Sequence, residues 1–447
     1  MTFTRAALVT IGLAAAGTGC GRAAEPSPEA LRHFTHDDVE RGARRARQSR
    51  TLLALQLVWT LGVLAALVHP RVGGWLSGAA RTIAGAAEGA PVARTFAAAA
   101  VGVALAIAAF HLASMPFAWV RGYFLEHAWG LSTQTAGAFA WEWLKGFAVT
   151  LVTWGAVLAA AVILRWRMPA WWPLVSWATA SALMAVYVFL WPVAIDPLFS
   201  RFTPVSEPEA LERVGLVASR AGIAFGEVLW SDASRRTRRT NAYFAGLGPT
   251  RRIVLYDTLR GESAAGYARS AAARLHSGNA RDGGGDAGAI PAEALDRIEV
   301  VLAHEAGHWL GGHAWKGTAL AVGGLAVFFA ALWLLLGMPW GWMPSAAPAD
   351  GARTAALIVL AAVAFEILSA PTANAVSRAF ERQADRASLQ LTGKPEAFVR
   401  SMAELARTNV AEIEPGRLAV ICLYSHPPVL ERMAAAEEYA RRAEGRH

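Results

Sequence analysis

Long apolar runs dominate the pattern of hydrophobic and polar positions along the chain. Six of them are long enough to cross a bilayer, whose hydrocarbon core takes about 20 helical residues. They occupy approximately residues 51–68, 95–114, 147–164, 174–194, 317–338 and 354–375. The pattern therefore predicts a mainly α-helical, polytopic membrane bundle.

The first 20 residues form a separate case. Arg5 precedes an apolar stretch, and small residues lead up to Cys20, which is typical of a secretion signal or of a short first membrane helix. Five arginines between residues 41 and 50 follow, and such residues favour the cytoplasm. A cleaved signal would deliver them outside, so a retained first helix is favoured, and we expect six or seven spans.

Arginine bias orients the predicted bundle. Threading six spans puts the basic stretch 31–50, the loop 126–145, the long segment 195–316 and the tail from Arg378 on one side. The opposite loops are shorter and poorer in charge, although Arg165 and Arg167 dissent. Because positive loops stay inside, we expect a multi-pass protein of a bacterial inner membrane, with its active site on the cytosolic side.

Composition changes this picture little. Of 447 residues, 55% are hydrophobic and 17% charged, and the net charge is +8. The arginines cluster beside the apolar runs, which favours lipid headgroups over nucleic acid as their partner. With only Cys20 and Cys422, no disulfide framework is implied. The sequence contains no signal for an oligomeric state.

Between the fourth and fifth runs lies a polar region with two short strands, predicted at residues 226–230 and 252–256 from their branched and aromatic residues. Residues 277–291 are rich in Gly and are predicted to form a flexible loop. Glu366 lies inside the last apolar run, where a charge is expensive and a functional or partnered role is the default expectation.

The most specific chemistry lies at His304-Glu305-Ala-Gly-His308. On a helix, His304 and His308 share a face one turn apart, so two imidazoles can bind one zinc ion while Glu305 accepts the proton of the attacking water. The alternative is a helix that carries two histidines and a glutamate by chance. A zinc peptidase also needs a third protein ligand.

Two candidates for that ligand follow in the chain. His313 does not fit the extended H-E-x-x-H-x-x-G-x-x-H pattern, in which Ala314 takes the last place, so a supporting or surface role is favoured for it. Glu381 and Asp385 share a helix face just after the last apolar run. Glu381 can complete the zinc site, and Asp385 can hold the other N–H of a ligand histidine. The alternative is an exposed, charged helix end.

At this point the chain resembles the type I CAAX prenyl endopeptidases, which are integral-membrane zinc metalloproteases of the gluzincin class. The resemblance covers nearly everything after residue 51. Besides H-E-x-x-H it includes W-P-V-A-I-D-P at 191–197, N-A-Y-F at 241–244, R-I-V-L-Y-D at 252–257, S-R-A-F-E-R-Q-A-D at 377–385 and S-H-P-P at 425–428.

The resemblance implies a bundle around a large water-filled chamber, with a zincin-like α+β metalloprotease domain and one Zn²⁺ per chain. It implies that the zinc ligands are His304, His308 and Glu381, and that Glu305 is the general base. It also implies that an edge strand with Asn241 and Ala242 pairs with an extended peptide substrate. His426 is implied as a stabiliser of the oxyanion, and Arg432 as its partner or as a substrate contact.

We therefore expect an integral-membrane zinc metalloendopeptidase that removes C-terminal tripeptides, as eukaryotic members of the family do from prenylated proteins, or degrades membrane and unfolded proteins. The expected division is 1–50, a signal-like and basic segment; 51–197, four spans; 198–316, the metalloprotease domain; 317–376, a two-span hairpin; and 377–447, the helices with the third ligand.

The alternative functions are a heat-shock-type membrane metalloprotease and a non-catalytic scaffold or chaperone. A transporter is disfavoured, because no inverted repeats are evident.

Overall fold

The structure is a computed structural model that describes residues 25–223, 226–245, 252–260, 290–337, 344–345, 347 and 350–445. The amino-terminal 20 residues and nearly all of the predicted loop 277–291 lie outside the described residues. The described chain is mainly helical with one small sheet, which confirms the predicted fold class.

The helices are labelled here in chain order. Before the polar region they are α1 Pro28–Leu31, α2 His36–Val68, α3 Pro70–Ala84, α4 Val92–Trp119, α5 Leu125–Ala128, α6 Ala136–Arg167 and α7 Trp172–Leu190. After it they are α8 Pro208–Ala221, α9 Ala292–Leu310, α10 His313–Gly337, α11 Gly351–Thr392, α12 Pro395–Thr408, α13 Arg417–Leu423 and α14 Val429–Glu444. Short π-helical turns follow α4 and α7.

Six helical stretches of the described chain are long and apolar enough to cross a membrane, and each overlaps one of the predicted runs. They are His36–Val68, Val92–Ala128, Ala136–Arg167, Trp172–Leu198, His313–Gly337 and Gly351–Thr392. The first begins 15 residues before the predicted run, because Thr35 and Asp38 form a capping box there. The last has 42 residues, about 63 Å of helix, so it projects well beyond a core about 30 Å thick.

Helix α3 lies in a segment that we expected to be a loop. Pro70 occupies its first turn, and Gly85, with φ 61°, ends it, as is usual for helix boundaries. Leu76 and Ala80 are buried whereas Trp75 is exposed. Only one face of α3 is apolar, and the helix is shorter than a membrane span. The sequence pattern therefore did not indicate it.

A four-stranded sheet forms the polar region, with β1 Phe202–Pro204, β2 Glu227–Ser231, β3 Ala242–Ala245 and β4 Arg252–Tyr256 in the order β1-β2-β4-β3. β2 and β4, the two predicted strands, are parallel, and β1 and β3 flank them antiparallel. Among the described residues, β3 has a strand partner on one side only. The sheet packs on α9 through a core that includes Leu255, Ile298 and Leu302.

Ion pairs join the basic amino-terminal stretch to distant segments. Arg45 and Arg239 both contact Glu126, with shortest N–O distances of 3.0 and 2.7 Å. Arg50 contacts Glu412 at 2.6 Å. The start of α2, the turn after α4, the polar region and the carboxyl-terminal tail therefore meet at one end of the bundle.

Candidate metal centre

Helix α9 carries the first two histidines. Its buried face, which includes Ile298, Leu302 and Ala306, packs toward the sheet, and this leaves His304 and His308 on a different face. Their Nε2 atoms lie 3.2 Å apart, and both side chains are only partly accessible. The i, i+4 spacing thus aims two ring nitrogens at one point, as the helical periodicity requires.

Helix α11 crosses α9 at Gly307, between the two histidines. A Cβ placed on Gly307 would lie 2.8 Å from Ala384 Cα and 2.8 Å from Ala387 Cβ, well inside the ordinary carbon–carbon contact of about 3.5–4.0 Å. Only glycine permits this approach of the two backbones. The approach brings the acidic stripe of α11, which consists of Glu381 and Asp385, against the histidines.

Glu381 comes from that stripe. Its Oε2 lies 3.4 Å from His304 Nε2, and its Oε1 lies 3.4 Å from His308 Nε2. Both distances exceed the 2.7–2.9 Å of a charge-assisted hydrogen bond. Oε2 is buried and has no hydrogen-bond partner among the described residues, so it is available to bind a metal ion.

The residues present fit a zinc ion. A tetrahedral site with bonds of about 2.0–2.1 Å separates its ligand atoms by about 3.3 Å. The two Nε2 atoms lie 3.2 Å apart, and each lies 3.4 Å from one of the two Glu381 oxygens. His304, His308 and Glu381 are also the one group of three metal-ligating side chains that meets within 4.8 Å in the described part of the chain. Two histidines and a glutamate are a donor set of catalytic zinc sites.

Asp385, one turn after Glu381, supports His304 from behind. Its Oδ1 is 2.9 Å from His304 Nδ1, and Arg432 donates to both of its oxygens at 2.6 and 2.8 Å. Burial alone would lower the pKa of His304, but its hydrogen bond with the Asp385 carboxylate and the nearby Glu381 carboxylate outweigh this and raise the pKa to about 9. Because Asp385 contacts Nδ1 of His304, the Nε2 atom of the same ring faces His308 and Glu381.

Arg432 forms a bidentate ion pair with Asp385. Burial lowers the pKa of the Arg432 guanidinium, but Asp385 outweighs this and, with Glu381 and Glu305, raises the pKa. Glu305, which directly follows His304 on α9, is partly accessible. Arg432 therefore holds Asp385 in place, and its predicted contact with a substrate stays a prediction.

His426 lies at the open side of the group. Its Nε2 is 3.4 Å from Glu381 Oε1, and Ser425 Oγ lies 3.0 Å from its Nδ1. The side chain is 61% exposed, so one ring nitrogen faces Glu381 while much of the ring remains accessible.

Two further residues of α11 hold the segment that carries His426. Asn374 Nδ2 donates to the Cys422 carbonyl at 2.8 Å, and Arg378 donates to the carbonyls of Val420 and Tyr424 at 2.8 and 2.6 Å. Sequence reasoning did not single out these two. The signal was present, because residues 374, 378, 381 and 385 form one polar stripe at helical spacing.

Asn241 and Ala242 lie at the start of the edge strand β3. Ala242 is buried in the core that the sheet forms with α9. Asn241 is exposed, and its carbonyl accepts a hydrogen bond from Tyr256 N at 3.0 Å. The structure thus brings together six predicted residues, which are His304, His308, Glu381, Asp385, His426 and Arg432, and it packs the edge strand against α9 through Ala242.

This combination of a helical membrane bundle, a small sheet and a His-Glu-x-x-His helix completed by a glutamate defines an integral-membrane metallopeptidase. The model of peptidase family M48 matches residues 206–440. A second family model, the CAAX prenyl protease N-terminal region with five membrane helices, matches residues 20–201. The chain belongs to peptidase family M48 and is a multi-pass membrane metalloendopeptidase, as the motifs predicted.

Relatives agree with this assignment. An uncharacterized metalloprotease of Bacillus subtilis (strain 168), YhfN, is 28% identical over 336 residues, which cover 73% of this chain and 70% of the relative. The CAAX prenyl protease 1 homolog of Homo sapiens is 26% identical over 342 residues, with coverages of 72% and 70%. A crystal structure of S. mikatae Ste24p matches with a TM-score of 0.73 at 20% identity over 92% of this chain and 91% of that one, which shows a common fold.

Proposed function

We propose that the protein hydrolyses peptide bonds with one zinc ion held by His304, His308 and Glu381. The observation that carries this proposal is that the two Nε2 atoms lie 3.2 Å apart and each lies 3.4 Å from one Glu381 carboxylate oxygen. Of these oxygens, Oε2 is buried without a hydrogen-bond partner in the described chain. A bound zinc ion polarises the scissile carbonyl and lowers the pKa of water from about 15.7 toward 7.

Glu305 is the general base of this mechanism. It follows His304 directly on α9 and accepts the proton of the attacking water, which it then passes to the leaving amine. His426, whose Nε2 lies 3.4 Å from Glu381 Oε1, donates a hydrogen bond to the carbonyl oxygen as that oxygen gains negative charge. Asp385, held by Arg432, keeps His304 in the ligating orientation.

The substrate is an extended peptide that adds a strand to β3 at Asn241 and Ala242. Two observations support this: the outer edge of β3 has no strand partner in the described residues, and Ala242 packs in the core built on α9. Main-chain hydrogen bonds with such an edge read peptide backbone without regard to side chains.

The decisive experiment is Glu305→Gln in the purified, zinc-loaded full chain. We expect peptide cleavage to fall about 100- to 10,000-fold, the usual range for a general base, with zinc content unchanged. Glu293→Gln is the matched control, since this exposed residue lies in the first turn of the same helix. Near wild-type cleavage by Glu305→Gln would reject Glu305 as the base.

The active site faces the cytosol in this proposal, and the membrane is a bacterial inner membrane. The end of the bundle that gathers Arg45, Arg50 and Arg239 also carries the tail with Arg432, and positive charge favours the inside. Arg165 lies on the opposite side and does not follow this charge bias, but it donates hydrogen bonds to the carbonyls of Pro344 and Ser345. Green fluorescent protein fused after residue 447 is expected to fluoresce; an active alkaline phosphatase fusion instead would reverse the orientation.

Two substrate classes are proposed. The similarity to CAAX prenyl protease 1 homologs supports C-terminal Cys-a-a-X sequences, and the second class is membrane or unfolded proteins. A farnesylated peptide and its unmodified counterpart separate them when cleavage sites are mapped by mass spectrometry. Release of a C-terminal tripeptide from the farnesylated form alone supports the first class. Equal internal cleavage of both supports the second, and loss of all cleavage on chelation excludes the non-catalytic scaffold.

A further inference from the structure

His313 is a buried histidine that the proposed mechanism does not use. It is 5% exposed and is the first residue of α10, three residues after α9 ends. Its Nδ1 lies 3.0 Å from the Nδ1 of His308, and its Nε2 lies 3.1 Å from Gln383 Oε1. A chain of polar atoms therefore runs from the ligand histidine through a second ring to a side chain of α11.

The fold makes room for this second ring. Gly312, with φ 61°, turns the chain so that α10 starts directly above the last turn of α9. A Cβ on Gly311 would lie 2.7 Å from His313 Cε1 and 2.8 Å from its Cδ2, so a larger residue there would displace the ring. On its other face the ring stacks on Phe380, with centroids 4.3 Å apart and planes 8° apart. The ring is thus fixed in position and in plane.

Only one arrangement of protons lets His308 bind a metal through Nε2. Its Nδ1 must then carry the ring proton, and Nδ1–H donates to His313 Nδ1. The His313 proton then sits on Nε2 and donates to the Gln383 carbonyl oxygen, which is an acceptor. Every distance along this path is within hydrogen-bonding range.

We propose that His313 is a positioning residue that holds His308 as an Nε2 ligand by accepting its Nδ1 proton, with Gln383 orienting His313 in turn. The inference rests on the proposed zinc site and deepens it. The two ligand histidines are then supported differently: His304 by the carboxylate of Asp385, whose charge Arg432 balances, and His308 by a neutral ring. The relay also joins the metal ligands to α10, the first helix of the membrane hairpin.

The test compares two side chains of equal shape at one position. Asn places an oxygen acceptor close to where His313 Nδ1 lies, whereas Leu fills the same volume without one. We measure zinc affinity of the full chain in detergent, after metal removal, by competition with a chromophoric chelator. His313→Leu is expected to weaken zinc binding 10- to 100-fold, and His313→Asn to stay within about threefold of wild type. The exposed His36 provides the control His36→Leu, which is expected to change nothing.

A second readout follows the ligand itself. The visible absorption of the cobalt-substituted protein reports the donor atoms, so it is expected to change in His313→Leu and to remain as in wild type in His313→Asn. Equal zinc affinities and spectra of the Asn and Leu variants would overturn the proposal, because the acceptor atom would then have no role. Absence of zinc binding by the wild type, or wild-type affinity in His308→Ala, would instead reject the proposed metal site.

Should Leu at position 313 prevent folding, Gln383→Leu tests the relay from its exposed end. Loss of one hydrogen bond to the relay is expected to weaken zinc binding about two- to tenfold. An unchanged affinity in this variant would overturn the role of Gln383 and the relay with it.

Discussion

Gly307→Ala is the change that most directly tests how α9 and α11 build the metal centre. The added Cβ would stand 2.8 Å from Ala384 Cα and from Ala387 Cβ. Restoring an ordinary contact of about 3.5–4.0 Å requires the helices to separate by roughly 0.7–1.2 Å. Glu381 lies one turn from Ala384 on the same helix, so its oxygens would move away from the histidines by a similar amount.

The cost of this separation is expected to appear in zinc affinity. The present Glu381 oxygens lie 3.4 Å from the two Nε2 atoms, close to the separation of about 3.3 Å that tetrahedral zinc requires. In the metal-free variant the helices relax apart, and binding must draw them back against an overpacking cost of about 1–3 kcal/mol. That corresponds to about 5- to 150-fold weaker zinc binding.

The assay is chelator competition on the purified full chain, with peptide cleavage at saturating zinc as a second measurement. Gly323→Ala on α10 is the matched control, because its Cβ would meet nothing within 4 Å among the described residues. Adding Ala387→Gly to the variant removes one of the two carbon contacts and is expected to restore part of the affinity. Zinc binding by Gly307→Ala within twofold of wild type would refute the close crossing as the cause of the site.

Three other outcomes are expected. Asp385→Asn keeps the shape but weakens the acceptor for His304, so zinc affinity is expected to fall about 10- to 100-fold, and equal zinc titrations of variant and wild type would contradict this. The pKa of Glu207 is lowered, because hydrogen bonds from Trp230 and the charge of Arg260 outweigh the effect of burial. Its carboxylate therefore stabilises the fold above its ordinary pKa, and this is lost as the pH falls through the lowered pKa; the melting temperature of Glu207→Gln is expected to vary less than wild type between pH 5 and about 2. Gly312→Ala places a side chain at φ 61° and is expected to cost roughly 1 kcal/mol of stability, measured by thermal unfolding.

Much of the architecture was predictable because a membrane-spanning helix requires a long apolar run, which is visible in the sequence. Each of the six apolar runs overlaps a described helix, and β4 occupies the predicted residues, since both depend on local composition and period. Helix α3 escaped prediction because only part of its surface is apolar. Strand β3 entered through resemblance to a family rather than through its own residues, because four residues carry too little pattern.

The candidate site divides in the same way. His304, Glu305 and His308 are close in sequence, so helical spacing alone groups them. Glu381 and Asp385 were placed with them by topology and resemblance. The partners of Arg432, Asn374 and His313 were not predictable, because each contact joins residues of different helices at distances set by side-chain packing.

By itself the sequence determined the number and rough limits of the described apolar helices, the spacing of the two histidines and the pairing of carboxylates on α11, because each is a property of local periodicity. The tertiary structure alone decided that α9 and α11 touch at Gly307, that Arg432 holds Asp385, and that His313 stands behind His308. These contacts depend on how closely two helices approach in space, and the length of chain between them carries no measure of that distance.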